Sequence, residues 1–160
     1  LGLKVDLCVT LTHKENRMRL VKSTVELINS GDKYLAEEGY IKPEQVRKMS
    51  VNVMVDSGAV MMAINETIKS QLGLKVRERQ SFSLADGQIV QLDVVGGLEI
   101  KFKNRWCETN AIVLKGDTEP LLGAVPMELM DLVISPFDQT LEVNPKHPIK
   151  PQHILAGLKW

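Results

Sequence analysis

Apolar and polar residues alternate along much of this chain, and the places where the alternation breaks divide it into elements. Residues 3–13 (LKVDLCVTLTH) and 22–29 (KSTVELIN) repeat with the period of two expected of half-buried strands. The charged run KENRMR at 14–19 between them reads as a solvated turn. From 32 to 48 the sequence DKYLAEEGYIKPEQVRK is punctuated by Gly39 and Pro43. That punctuation predicts a short helix or turn, an extended Tyr40-Ile41 step and one helical turn opened by proline, together a connection laid over a sheet. Val51, Val53 and Val55 then alternate again and lead into Asp56.

Beyond Asp56 the period changes. Asn65 stands at an N-cap position, Ile68 and Leu72 are four apart, and Gly73 supplies a stop, so a short helix is predicted. Within 77–102, Phe82 and Leu84 alternate before the turn ADGQ and Ile89 follows it; Asp-Gly between two strand-like arms is a hairpin signal. Gly96-Gly97 predicts a bulge or a close backbone approach in the second arm. LEIKFK and NRWCETNAIVL make another strand pair. Residues 119–148 predict a strand, a glycine turn, a short helix near 126–130 and two short strands, and the tail 149–160 is rich in breakers. Many short strands with two short helices define an all-β, barrel-like class. An internal echo accompanies it: VMVDSGAVMMAINETI and EPLLGAVPMELMDLVI both run apolar strand, Gly-Ala turn, short helix, and only the first carries an acid in its turn.

Composition narrows the function classes. A chain of 160 residues suits one domain that buries roughly two thirds of its unfolded surface with no need of a metal or disulfide. Lys plus Arg and Asp plus Glu balance at 20 each, so there is no global field to draw nucleic acid or an anionic membrane, and neither is expected as a partner. Cys8 and Cys107 stand far apart without a CxxC pattern, which fits a reducing compartment. No apolar run approaches the roughly 20 residues of a membrane span, and the N-terminus lacks a signal-peptide pattern, so a soluble, cytoplasmic protein is expected. The chain begins at Leu1; Met18 offers an alternative start that would make 1–17 an extension. His13, His147 and His153 show no metal-ligand spacing, so no metal, no cofactor and no Ser57-His-Asp triad is expected. Met54, Met61, Met62, Met127 and Met130 read as apolar fillers, and GGLEI lacks the lysine and spacing of a phosphate loop.

Asp56 is the chemical question. A carboxylate buried without compensation costs several kcal/mol or is neutralised, so one inside an apolar run is solvated, paired or chemically employed. Ser57, Gly58 and Ala59 follow it: a hydroxyl, a residue free in φ and a small apolar residue, which together describe a tight loop leaving a strand. The same residues also suit a plain strand-to-helix turn. Two carboxylates about 3 Å apart share one proton, so that one serves as base toward a water and the other donates to a carbonyl oxygen. A single Asp56 cannot do this, but a homodimer whose two-fold axis passes between two such loops can. Ser57 then fastens one loop to the other, Gly58 points its N–H at the carboxylate, and the hairpin at Ala85, Asp86, Gly87 and Gln88 is a lid over a peptide.

VMVDSGA, LADGQ and LLGAVPMELMDLVISP, in this order, resemble the retroviral-type (retropepsin-like, clan AA) aspartic protease domain found in bacterial proteins, over residues 22–148. The resemblance implies a closed, all-β acid-protease barrel with two short helices and a homodimeric active site. It implies Asp56 as the catalytic acid, Ser57, Gly58 and Ala59 as support of the catalytic loop, and a substrate-binding flap over Ala85–Gln88 centred on Asp86 and Gly87. A second turn falls at Leu121, Leu122 and Gly123, and the substrate is a peptide or protein. Residues 1–21 are then an N-terminal extension or edge strand, and 149–160 a C-terminal tail. One departure stands out: the family loop commonly continues after Gly-Ala with Ser, Asp or Thr, where this chain has Val60 and Met61. The expected activity is that of an aspartic endopeptidase. The alternative is a weak or inactive module of the same fold that binds peptides or dimerises, which Val60 favours and the intact Asp-Ser-Gly disfavours; a monomer would leave the shared-proton mechanism without its second carboxylate.

Overall fold

The computed structural model describes residues 20–155. In chain order they form β1 (Val21–Asn29), α1 (Ser30–Glu37), a 3-10 turn (Pro43–Gln45), β2 (Lys48–Val55), β3 (Met62–Asn65), α2 (Glu66–Leu72), β4 (Val76–Ser83) and β5 (Ile89–Phe102). β6 (Arg105–Leu114), β7 (Leu121–Leu122), α3 (Ala124–Leu129), β8 (Leu132–Ser135) and β9 (Thr140–Val143) complete them.

The alternating segments pair as strands because each has one face to bury. β1 and β2 run antiparallel from Val21↔Val55 to Ile28↔Lys48, which puts Val25, Leu27, Val53 and Val55 into the core. The main sheet has seven strands in the order β1-β2-β7-β3-β6-β5-β4, and β1 also pairs with β5 from Asn29↔Leu98 to Glu26↔Lys101. That second pairing closes the sheet into a barrel, with β4 left outside as an arm on β5. β5 manages both roles by bending at Gly96-Gly97, where its register with β6 shifts between Val95 and Leu98 and Gly97 takes φ +69°, the left-handed region open to glycine. Leu27, Met62, Ile64, Leu98, Ile100 and Leu122 fill the interior, fully buried. At roughly 1.5–3 kcal/mol for each such side chain, the ring of strands carries most of the fold's stabilisation. The result is a closed, mostly β barrel, as the motifs imply.

Three details differ from the sequence reading. First, the described residues hold three short α-helices where two were expected, because the segment read as a short helix or turn forms a helix over 30–37. Asn29 Oδ1 accepts from Asp32 N at 3.0 Å and its Nδ2 donates to the Leu72 carbonyl at 2.8 Å, so one side chain caps α1 and ties it to the end of α2. The Arg47 guanidinium holds the Asp32 carboxyl with two bonds of 2.7 and 2.9 Å and keeps its pKa low against the opposing effect of burial. Second, Tyr40 and Ile41 make no strand: both amides turn back to the Leu35 carbonyl at the end of α1. Third, the first limb of the internal echo contains an additional strand, β3, between the Gly-Ala turn and α2. All four of its residues are buried, since it lies between β7 and β6 with both faces covered, and it therefore shows no alternation. α3 begins at Ala124, two residues before the expected start. The strand expected at 3–13, together with Cys8, His13 and Met18, lies outside the described residues. No helix among the described residues is long and apolar enough to cross a membrane.

Candidate active site

Asp56 emerges at the point where β2 leaves the barrel. Val55 is still in the core, and Asp56, one residue on, is half-buried. β2 lies parallel to β7 (Met54↔Leu121, Val55↔Leu122), with Met54 N donating to the Pro120 carbonyl at 2.9 Å and Asp56 N to the Leu122 carbonyl at 3.0 Å. The loop then turns tightly: Ala59 N donates to the Asp56 carbonyl at 3.2 Å, and Gly58 N donates to Asp56 Oδ1 at 2.8 Å. A Cβ on Gly58 would sit 3.1 Å from that same oxygen, a few tenths of an ångström tighter than an ordinary contact, so glycine eases the approach of the amide to the carboxylate.

The far side of the loop is held by a helix start. The first amides of any helix lack partners within it, and α3 has Gly123 at its N-cap with no side chain to supply one. The loop supplies them: Ala124 N donates to the Ala59 carbonyl at 2.7 Å and Val125 N to the Val60 carbonyl at 3.0 Å. This close approach requires Gly123, because a Cβ there would stand 2.3 Å from the Met61 carbonyl oxygen and 2.8 Å from that of Ala59. The expected first turn (Asp56, Ser57, Gly58, Ala59) and second turn (Leu122, Gly123) are thus one hydrogen-bonded unit. Sequence reading placed both turns and missed the acceptors that join them, since backbone carbonyls leave no mark in residue type. Ser57 is exposed, and Val60 projects outward with 65% of its surface accessible.

The expected flap is a hairpin of β4 and β5, closed by Ser83↔Ile89. Leu84 N donates to the Gln88 carbonyl at 2.7 Å, Gly87 N donates to the Leu84 carbonyl at 2.9 Å, and Gly87 has φ +85°. That is a three-residue turn with glycine in the left-handed position. Asp86 accepts from Gln88 N at 2.9 Å, so its carboxylate shapes the turn. A second apolar cluster connects this hairpin to the Asp56 loop. Ala63, Leu92, Leu114 and Leu121 are its buried members, with Met54, Phe82, Val90 and Ile112 packed against them. Phe82, Val90 and Leu92 come from the hairpin arms, while Met54, Ala63 and Leu121 come from the strands that carry the loop.

The remaining titratable groups do other things. Burial pushes the Cys107 thiol up to about 12, with the nearby Glu99 charge adding to the shift, so it stays protonated and unreactive. His147 Nδ1 lies 2.6 Å from Asp131 Oδ2, a pairing the sequence did not reveal, and His153 is exposed. The described residues bring together no group of three or more His, Cys, Asp or Glu side chains able to hold a metal ion.

The profile of the family described as "gag-polyprotein putative aspartyl protease" matches residues 44–126, just over half of the chain. The chain belongs to this aspartyl protease family. The matched span runs from the 3-10 turn through the Asp56 loop and the β4–β5 hairpin to the opening of α3, so it takes in every element of the candidate site described above. Among solved structures, the aspartyl protease chain is similar to the retroviral protease-like domain of Ddi1 from Leishmania major, with 15% sequence identity and a TM-score of 0.46, covering 61% of this chain and 81% of that one. The curated proteins give no match.

Proposed function

We propose that this aspartyl protease domain is an active endopeptidase and works as a homodimer, with Asp56 of each subunit forming a dyad across the two-fold axis. One carboxylate takes a proton from a water as the water oxygen attacks the scissile carbonyl carbon; the other, protonated, donates to the carbonyl oxygen. The tetrahedral diol collapses as the carboxyl that took the water proton passes it to the departing amine, the C–N bond breaks, and the other carboxylate takes back the proton of a diol hydroxyl as the carbonyl re-forms, leaving the dyad with the one shared proton it began with. No covalent intermediate forms. The observation that carries this reading is the rigidity of the loop: Asp56 is held by the Gly58 amide, its backbone by Leu122, and the following carbonyls by α3, so the carboxylate is oriented before substrate arrives. Exposed apolar side chains at Val60, Val125 and Leu129 flank the loop, a surface suited to burial against a second copy. Ser57 braces the paired loops, and the Ala85–Gln88 hairpin covers the peptide.

The test is hydrolysis of a mixed peptide library from about pH 4 to 7 over a range of protein concentrations, with Asp56→Asn alongside. Activity that rises faster than linearly at low concentration and vanishes in the variant is the expected result. A folded, dimeric sample that cleaves nothing would instead favour the peptide-binding module, and a monomer would remove the dyad altogether.

A further inference from the structure

Where β2, β1, β5 and β6 lie side by side, the outward face of the barrel holds a solvent-open cleft of about 320 Å³. The strand registers lay out its floor in two rows. One runs Glu26, Lys101, Trp106 across β1, β5 and β6, and the other Lys48, Ile28, Glu99 across β2, β1 and β5. Side chains on a strand alternate between its faces, so with Val25 and Leu27 in the core, Glu26 and Ile28 point outward. The connection from α1 to β2 supplies the wall with Lys33, Pro43 and Val46.

The charged groups of the cleft divide into those with partners and those without. Lys33 Nζ donates to both carboxylate oxygens of Glu99, at 2.8 and 2.9 Å, and stands 5.8 Å from the Trp106 ring centroid. Glu99 is buried, so this pair fastens the wall to the floor and is spent on the fold. Glu108, next along the second row, is held by Ser30 Oγ at 3.0 Å and by the Tyr34 hydroxyl at 3.2 Å. Glu26, Lys48 and Lys101 take part in no ion pair among the described residues. One carboxylate and two ammonium groups therefore remain available, beside the apolar surfaces of Ile28, Pro43 and Val46 and an indole that is 63% exposed.

That set is complementary to a zwitterion. Glu26 and Lys101 stand directly opposite each other on adjacent antiparallel strands, with backbones about 5 Å apart. An ammonium and a carboxylate carried on one carbon match this spacing, each meeting the opposite charge. Lys48 leaves the set one positive charge in excess, which adds to the attraction on the carboxylate and disfavours a basic side chain. The indole and the three apolar side chains offer surface to an apolar one. A volume of about 320 Å³ stands at the small end of ligand clefts, which run from about 300 to 1,000 Å³.

We propose that this cleft binds a free α-amino acid with an apolar or aromatic side chain. Its ammonium meets Glu26, its carboxylate meets Lys101 with Lys48 in support, and its side chain lies against Trp106, Ile28 and Val46. Lys48 and Asp56 stand at opposite ends of β2, about 26 Å of strand apart. The site therefore involves none of the groups proposed for peptide hydrolysis, and it stands whether or not that activity is found.

The test is a titration of the full chain with L-phenylalanine at constant ionic strength, read by the indole Nε1–H resonance of Trp106. Trp160→Phe distinguishes it from that of the chain's other tryptophan. A saturable shift is expected. N-acetyl-L-phenylalanine lacks the ammonium and L-phenylalaninamide lacks the carboxylate, and each should bind about two- to fivefold more weakly, the effect of one exposed charge pair. Glu26→Gln should weaken L-phenylalanine by that factor and bind N-acetyl-L-phenylalanine no less well than wild type does. Lys101→Gln should weaken L-phenylalanine and bind L-phenylalaninamide no less well. Glycyl-L-phenylalanine, whose two charges are separated by a peptide unit, should bind more weakly than L-phenylalanine; tighter binding would assign the cleft to peptides and overturn the proposal. A Trp106 resonance that does not move at roughly 50 mM L-phenylalanine overturns it. So does an equal loss of affinity for all three phenylalanine ligands in either variant, which would be a change of fold and not of a charge contact.

Discussion

Replacing Gly123 by alanine adds one methyl group at the tightest contact in the site. The new Cβ would lie 2.3 Å from the Met61 carbonyl oxygen and 2.8 Å from both the Met61 carbonyl carbon and the Ala59 carbonyl oxygen. Unstrained contacts between heavy atoms fall near 3.5 Å, so the loop must retreat by about 1 Å. Retreat breaks the bonds that fix it, Ala124 N to Ala59 O at 2.7 Å and Val125 N to Val60 O at 3.0 Å. Two lost backbone hydrogen bonds at about 1 kcal/mol each, with about 1–3 kcal/mol of overpacking, give a destabilisation of roughly 3–5 kcal/mol. For a domain of this size that is a fall in thermal midpoint of roughly 6–20 °C. The backbone torsion of Gly123 contributes nothing to this, since its φ of −87° is open to alanine. Gly116→Ala is the control, with φ +63° and nothing within 4 Å of its added Cβ; it should cost only about 1–2 kcal/mol. The assay is urea unfolding of both variants beside wild type. If Gly123→Ala stays within about 1 kcal/mol of wild type, or loses no more than Gly116→Ala, the loop does not depend on this approach and the reasoning fails.

Asn65→Ala should destabilise by roughly 2–3 kcal/mol in the same assay, because Oδ1 caps α2 at Ile68 N (2.9 Å) and Nδ2 donates to the Thr118 carbonyl (3.0 Å); Asn65→Asp, which keeps the cap alone, should recover part of it. Burial pushes the Asp131 carboxyl up, but hydrogen bonds from Asn144, the Gln152 amide and His147 outweigh it and hold the group at about 2 against an ordinary 3.8. A depressed carboxyl contributes stability above its unfolded pKa and loses it as pH falls through the folded value. Unfolding followed from pH 5 down to 2 should therefore show a loss setting in near pH 4 that Asp131→Asn does not share. Cys107, with its thiol at about 12 rather than the model-compound 9.0, should react with a thiol reagent at pH 8 about a thousandfold more slowly than an exposed cysteine in a Cys8→Ser background, and should become reactive on unfolding. In the proposed homodimer, Asp56→Asn should leave association at least as strong as in wild type at neutral pH, since it removes carboxylate repulsion; weaker association by analytical ultracentrifugation contradicts a shared-proton dyad.

The elements legible in the sequence are those whose instructions lie within a few residues. Alternating valines gave β2, Asn65 with Gly73 bounded α2, and Asp86-Gly87 turned the β4–β5 hairpin; Asp56-Ser57-Gly58 and Leu122-Gly123 marked the two turns of the candidate site. Each rests on a local rule of periodicity, capping or allowed φ, so a short window suffices. What only the tertiary structure decided depends on residues far apart in the chain. β3 has both faces covered once the barrel closes, which removes the alternation that would have announced it. Closure itself rests on β1 meeting the second half of β5, after the bend at Gly96-Gly97. The reason for Gly123 is the Met61 carbonyl, and the partner of His147 is Asp131. Arg105 falls in a run the sequence marks only as one strand of a pair, and it is buried because the segment after β9 meets it, with its Nη2 donating to the His147 carbonyl. Burial is a property of what covers a residue, and neither the cover nor the backbone carbonyls it brings can be read from the residue itself.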